Sequence, residues 1–291
     1  MKKAFKVAGH VFSLEMPDKH PLWGMMQQYE PFEVPVQDEV IFSLAIVKDL
    51  PEAEMTPVYT EAPEDPGQSR IELYKTRSGW RFQAAPLSKA PVCCIIDADA
   101  DYSSARFWVE PTRQSAMFGL NNALMLLFAF RTAGMKTLEM HSSVVVKDGK
   151  GYMFLGKSGT GKSTHSRQWL EHIPDTFLLN DDNPIIRVGE DGVVRVYGSP
   201  WSGKTPCYKN LEAPVGAIVR IRQHPENKIT RMSIVEAYAS VYSSCSGLKS
   251  DPTIADGLHE ALECVAVNVP CFVLDCRPDH EAADVCYNAV K

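Results

Sequence analysis

Residues 151–170 read GYMFLGKSGTGKSTHSRQWL, and this stretch decides the fold class of the chain. Its first five residues suit a buried strand, whereas residues 164–170 suit a helix. Between them, residues 156–163 match the pattern G-x-x-x-x-G-K-[ST] in full. Glycines permit backbone conformations that other residues avoid, so successive N–H groups can turn toward the oxygens of a phosphate. A strand, a glycine-rich loop and a helix in this order predict an α/β domain that binds nucleotide phosphates.

Each residue type in this loop suits one part of a nucleotide. Lys162 would reach the β- and γ-phosphates, and the hydroxyl of Ser163 would sit on Mg²⁺. The other residues predicted to contact the nucleotide are Gly156, Ser158, Gly159, Thr160, Gly161 and Thr164. The alternative is a glycine-rich turn that binds no ligand.

An acidic partner for the metal follows closely. Residues 176–183 read TFLLNDDN, an apolar strand that ends in Asp181 and Asp182. The interval after Lys162 leaves room for one helix and a returning strand, so we expect the pair to emerge beside the loop. One carboxylate would hold the metal and the other would face the accepting hydroxyl. The alternative is a turn at the end of the strand, in which aspartates cap a helix.

The hydrophobic pattern divides the chain into two parts. Residues 1–110 contain short strand-like runs separated by stretches rich in proline and glycine, which predicts a β-rich N-terminal module with an antiparallel or barrel-like sheet. Residues 111–291 begin with a helix and continue with strands alternating with helices, the pattern of an α/β layer. The predicted class is therefore α/β, or α+β over the whole chain, with a domain boundary near residue 110.

Composition excludes several classes of partner. The 291 residues carry a net charge of -6, which argues against binding to nucleic acid. The longest wholly apolar run, residues 123–130, is far shorter than the roughly 20 residues of a membrane span. The N-terminus has no unbroken apolar core like that of a signal peptide, and the eight cysteines form no C-x-x-C pair. We expect a cytoplasmic protein with reduced thiols and no membrane partner.

A family resemblance joins these motifs. His141, the turn KDGKG at residues 147–151, the loop GKSGTGKST and the strand LLNDD together resemble the HPr kinase and phosphoenolpyruvate carboxykinase superfamily. The resemblance covers about residues 138–206. It implies a carboxykinase-like nucleotide-binding domain that uses ATP or another nucleoside triphosphate with Mg²⁺ or Mn²⁺. It also implies, by analogy with HPr kinases, a homo-oligomer.

The resemblance also assigns roles to residues. Asp182 resembles the carboxylate on the metal side, and Asp181 resembles the base that accepts a proton from the attacking hydroxyl. The alternative is the reverse assignment, because HPr kinases and carboxykinases use the pair differently. Lys162 and His141 would lie near the γ-phosphate, where His141 could coordinate the metal or donate a hydrogen bond. By residue type alone, His141 would more simply be a hydrogen-bonded structural histidine.

A second loop follows the strand VVRVYG. Residues 197–206 read YGSPWSGKTP and resemble the G-x-P-[WF]-x-G loop of proteins related to HPr kinase. Trp201, Gly203 and Lys204 are therefore candidates for a loop over the substrate, where a lysine and backbone amides would stabilise a phosphoryl group. The alternative is a rigid turn that packs Trp201 into the core.

Three functions fit this pattern. The first is an ATP-dependent kinase that moves the γ-phosphoryl group to a hydroxyl of an unidentified small molecule, peptide or protein. The C-terminal signature of HPr kinases is absent from the sequence, so HPr itself is not the expected acceptor. The second is a nucleotide-binding regulatory protein without turnover, and the third is a carboxykinase-like enzyme. The acidic pair favours catalysis, because binding alone needs a single metal carboxylate.

Overall fold

The boundary between the two parts of the chain lies one helix later than the hydrophobic pattern predicts. A computed structural model of the chain describes residues 1–61, 69–110, 113–203 and 205–291. Its compact units are Met1–Arg131 and Thr132–Lys291. The division between these units differs from the predicted boundary at residue 110, because the first long helix packs with the strands that precede it.

The first unit is built on a nine-stranded mixed sheet with the order β3-β1-β2-β4-β9-β8-β7-β6-β5. Its strands are β1 (Lys2–Val7), β2 (His10–Glu15), β3 (Glu33–Val34), β4 (Ser43–Ile46), β5 (Thr56–Glu61), β6 (Arg70–Lys75), β7 (Gly79–Ala85), β8 (Cys94–Asp99) and β9 (Ser104–Val109). The expected antiparallel pairing holds except at two positions, because β4 runs parallel to both β2 and β9. Buried and more exposed residues alternate along β8, as in a sheet with one covered face.

Aromatic residues hold helix α1 (Arg113–Thr132) to this sheet. Phe128 is fully buried, and its ring lies 6.3 Å from that of Phe12 in β2. The ring of Phe130 lies 5.6 Å from that of Phe82 in β7. Burial of such rings contributes several kcal/mol, which makes the helix part of the first unit.

The second unit is a mixed α/β layer on another nine-stranded sheet. Seven strands follow the order β10-β14-β15-β16-β12-β11-β13, and β18 pairs with both β16 and β17. The strands are β10 (Thr137–Glu139), β11 (Ser142–Lys147), β12 (Lys150–Leu155), β13 (Phe177–Asp182), β14 (Ile185–Val188), β15 (Val194–Tyr197), β16 (Glu212–Gln223), β17 (Lys228–Arg231) and β18 (Cys271–Cys276). The helices are α2 (Lys162–His172), α3 (Ile234–Tyr242), α4 (Pro252–Asn268) and α5 (His280–Val290).

The core of this layer forms around Trp169 of α2. This side chain is fully buried, and its ring lies 5.1 Å from Tyr152, 5.5 Å from Phe154 and 5.5 Å from Tyr287. The contacts tie α2 to β12 and α5. Because α2 follows directly after the glycine-rich loop, its packing fixes the end of that loop.

One described segment has the length and composition of a membrane span. Residues Ser115–Met135 contain an 18-residue window with a mean hydropathy of 1.2, and 61% of that window is buried inside the protein. The core helix of a soluble protein has the same properties, so the absence of a membrane partner remains a prediction. All eight cysteines are free, and all except Cys264 are buried.

Candidate functional site

The sequence motifs converge at one edge of the second sheet. Strands β12, β13, β16 and β18 run in the same direction, and β11 runs opposite to them between β12 and β13. The carboxyl ends of four strands therefore meet at the edge where β11 begins. This edge carries the glycine-rich loop, the acidic pair and His141, which precedes β11. Ligands of α/β sheets bind outside the carboxyl ends of the strands.

The loop at residues 156–163 is held by its glycines and by the lysine that follows them. Gly159 and Gly161 have φ angles of +79° and +102°, a region that favours glycine. Lys162 is 9% exposed, and its Nζ donates to the carbonyl oxygens of Gly156 at 2.9 Å and Lys157 at 3.3 Å. Burial lowers the pKa of Lys162, and the carboxylates of the acidic pair partly oppose this effect.

The other predicted contacts of the loop are open to a ligand. Ser158 and Ser163 are exposed, and Thr164 is half-buried. The hydroxyl of Thr160 donates to the carbonyl oxygen of Lys157 at 2.8 Å, which closes the loop on itself. A hydroxyl at the start of α2 is thus available to a metal ion or a phosphate.

His141 connects Lys162 to Asp182. Lys162 Nζ lies 2.9 Å from His141 Nε2, and His141 Nδ1 lies 3.1 Å from Asp182 Oδ1. A lysine ammonium only donates, so Nε2 accepts and the ring proton sits on Nδ1, from which it is donated to the carboxylate. These two contacts place the three predicted residues in one hydrogen-bonded chain.

The two aspartates face opposite sides of the sheet. Asp181 pairs with Ser143 and Asp182 with Ser142 in the register of β13 and β11. The Ser143 hydroxyl lies 2.6 Å from that of Ser166 in α2, so Asp181 shares the α2 side. Asp181 is 5% exposed, whereas the side chain of Asp182 is 34% exposed. Two adjacent carboxylates in these surroundings are suited to separate tasks.

The loop at residues 197–206 contacts the acidic pair through its backbone. The N–H of Gly203 donates to the carbonyl oxygen of Asp181 at 2.9 Å, and a Cβ at Gly203 would lie 2.8 Å from that oxygen. Trp201 is 2% exposed, so its ring packs inside the unit, as in the alternative interpretation of this loop. Lys204 lies outside the described residues.

Asn180 is a site residue that sequence reasoning missed. It is fully buried, and its Nδ2 donates to Ser199 Oγ and to the carbonyl oxygen of Trp201, both at 3.2 Å. Its Oδ1 accepts from the N–H of Asp182 at 3.1 Å. Asn180 therefore ties the second loop to the acidic pair. The available signal was an amide side chain directly before two aspartates at the end of an apolar strand.

Glu139 is a second residue that the sequence did not single out. It is 1% exposed, and burial raises its pKa to about 8, with a smaller contribution from the charge of Asp182. Ser246 Oγ donates to Oε1 at 3.3 Å, and Oε2 has no hydrogen-bond partner among the described residues. The raised pKa favours the protonated form of the Glu139 carboxyl at neutral pH, two residues before His141.

Arg220 of β16 adds positive charge near the loop. Its guanidinium donates to the hydroxyls of Ser240, Ser243 and Ser244, and the carbonyl oxygen of Ser244 accepts from the N–H of His141 at 2.8 Å. Burial lowers the pKa of Arg220, and its charge contributes to the lowered pKa of Lys162. Its hydrogen-bond partners are neutral and no described residue forms an ion pair with it, so the positive charge of Arg220 favours an anion at this edge.

Comparisons with known proteins add little to this geometry. No family model and no curated protein sequence matches the chain. Among solved structures, the chain is similar to the "Structure of the Hpr(Ser) kinase/phosphatase from Coxiella burnetii", with 13% sequence identity and a TM-score of 0.32. The match covers 52% of this chain and 95% of that one. A similarity at this level does not establish a function, so the functional inference rests on the contacts of the site.

Proposed function

We propose that the chain is a phosphotransferase of the HPr kinase-like type, which moves the γ-phosphoryl group of ATP or a similar donor to a hydroxyl. The acceptor is a small molecule, a peptide or a protein. The hydrogen-bonded chain from Lys162 through His141 to Asp182 carries this proposal. It brings the phosphate-binding motif close to the acidic pair, and phosphoryl transfer depends on positioning the phosphates next to the groups that hold the metal and accept the proton.

The loop supplies the binding energy for the phosphates in this proposal. Its backbone N–H groups and the positive end of the α2 dipole attract oxyanions. The present acceptors of Lys162 Nζ are two neutral carbonyl oxygens and a neutral imidazole. A phosphate oxygen is a stronger acceptor for an ammonium group because it is charged, so the lysine exchanges these partners for the ligand.

The residues at this edge suit Mg²⁺ or Mn²⁺ held jointly with the nucleotide. Among the described residues, no group of three histidine, cysteine or acidic side chains forms a metal site. Mg²⁺ is commonly bound through one or two carboxylates together with phosphates and water, and Ser163 and Asp182 offer such oxygen ligands. When bound, the ion would neutralise negative charge on the phosphates.

The divergent acidic pair supports a division of work between the two carboxylates. Asp182 contacts His141 and holds the metal side of the site. Asp181 lies on the α2 side and accepts the proton of the attacking hydroxyl. The hydrogen bond from the Gly203 N–H to the backbone carbonyl oxygen of Asp181 holds the second loop beside the acidic pair, where the loop would cover an acceptor.

Three variants test the function with ATP, Mg²⁺ and a panel of acceptor hydroxyls. Asp181→Asn should keep nucleotide affinity and reduce transfer of labelled phosphate by about 10²–10⁴-fold, the usual contribution of a general base. Asp182→Asn should weaken the dependence on Mg²⁺, and Lys162→Ala should abolish nucleotide binding. The control is Asp175→Asn, because the Asp175 side chain is 93% exposed and lies away from the motifs.

Two results would contradict the kinase proposal. If the protein binds ATP and no acceptor is phosphorylated, the regulatory nucleotide-binding function gains support. Activity with oxaloacetate and a preference for Mn²⁺ would favour the carboxykinase-like enzyme. Unchanged transfer by Asp181→Asn would remove that residue from the mechanism.

A further inference from the structure

A cavity of about 600 Å³ adjoins the glycine-rich loop, and we call it the side cavity. Its wall includes loop residues 159–161 and the segments that follow strands β16 and β18. The residues that matter here are Gln168, Gln223, Pro225, Arg277 and Pro278. Proline rings provide flat apolar surface, and glutamine side chains provide both donors and acceptors. The side cavity therefore combines apolar walls with a few polar groups, as small-molecule sites do.

Strand order places the side cavity on the far side of the loop from the acidic pair. The sheet runs β18-β16-β12-β11-β13, and the loop follows the middle strand β12. Asp181 and Asp182 end β13 on one side, whereas the side cavity lies at the ends of β16 and β18 on the other. A polyphosphate with its reacting end at the acids therefore points its other end toward the side cavity.

Arg277 gives the side cavity a flat, immobilised wall. Its Nε donates to Asp279 at 2.7 Å, its Nη2 to Glu281 at 2.6 Å and its Nη1 to the carbonyl oxygen of Pro225 at 3.2 Å. These partners occupy edge positions of the guanidinium and offset its charge. Its side chain is 47% exposed, so a face of the plane remains available. Guanidinium planes stack well on aromatic rings.

We propose that the side cavity binds the nucleoside of the phosphoryl donor, with its base stacked on Arg277. The inference rests on the proposed function and narrows it, because the donor is then a nucleoside triphosphate rather than an inorganic polyphosphate. The side cavity has room for a base and a ribose. Stacking explains why no sequence motif indicates the base-binding site, because a stacked base needs a flat side chain and not a fixed pattern of hydrogen-bonding residues.

The test compares the full chain's affinities for ATP and for tripolyphosphate, each with Mg²⁺, by calorimetry. The wild-type protein should bind ATP at least about tenfold more tightly, and Arg277→Ala should lose roughly this factor for ATP alone. Arg222→Ala is the matched control. Arg222 also forms an ion pair, with Asp275, so its replacement removes the same charge. Arg222 does not line the side cavity.

The outcomes separate this inference from the proposed function. Equal wild-type affinities for ATP and tripolyphosphate would overturn the inference while leaving a phosphate site in place, and this comparison needs no variant. Loss of affinity for both ligands in Arg277→Ala, or selective loss for ATP in Arg222→Ala, would also overturn it. If the wild-type protein binds neither ligand, the proposed function fails and the inference fails with it.

Discussion

Replacement of Glu139 by glutamine should remove a pH-dependent part of the stability of the chain. The buried carboxyl has its pKa raised from the ordinary 4.5 to about 8, chiefly by burial. Between these values the folded state keeps a proton that the unfolded state has released. The contribution of Glu139 to the free energy of unfolding is therefore fully present below about pH 4.5 and is lost as the pH rises toward 8.

The size of this effect follows from the shift. One pKa unit corresponds to about 1.4 kcal/mol, so Glu139 costs as much as roughly 5 kcal/mol of unfolding free energy at pH 8 relative to pH 4.5. Glutamine has the shape of the protonated acid but no proton to lose. The difference in unfolding free energy between Glu139→Gln and the wild type should therefore shift in favour of the variant as the pH rises.

Urea unfolding at pH 5, 6.5 and 8 measures this difference. Glu171→Gln is the matched control for the replacement of a carboxylate by an amide, because the Glu171 side chain is 52% exposed. Parallel profiles for Glu139→Gln and the wild type would refute the reasoning. They would mean that the Glu139 carboxyl is solvated or paired with a cation in the folded state.

Three further substitutions test contacts of the second unit. His165 is 4% exposed, and burial lowers its pKa to about 4. The free energy of unfolding should therefore fall by roughly 3 kcal/mol as the pH drops from 6.5 toward 4. In urea unfolding, His165→Gln should reduce this loss of stability at acid pH. Gly203→Ala would press a Cβ against the carbonyl oxygen of Asp181, and it should lower phosphate transfer while the affinity for ATP stays that of the wild type. Transfer at the wild-type rate would show that the loop moves to make room for the Cβ. Asn180→Ala should reduce the unfolding free energy by about 2–4 kcal/mol, because buried partners lose their hydrogen bonds, and a loss below 0.5 kcal/mol would contradict that role.

Local chemistry explains which elements were predictable. The pattern at residues 156–163 dictates a tight loop before a helix, and α2 begins at Lys162 in the structure. The apolar pattern of residues 5–14 by itself suits a single strand, but this segment forms the hairpin β1–β2, because Ala8 and Gly9 both adopt positive φ angles. A two-residue turn of this kind matches the twist of paired strands, and the apolar pattern alone does not reveal it.

Sequence by itself determined the G-x-x-x-x-G-K-S motif, the acidic end of a strand and the change from a β-rich half to an α/β half. Only the tertiary structure decided which of these groups meet. Strand β12 pairs with β16, more than fifty residues later, and β11 lies between β12 and β13. Periodicity encodes which face of a strand is buried but not which strand lies beside it. The contact of His141 with Lys162 and Asp182 follows from that pairing, because strand register is set by packing across the whole sheet.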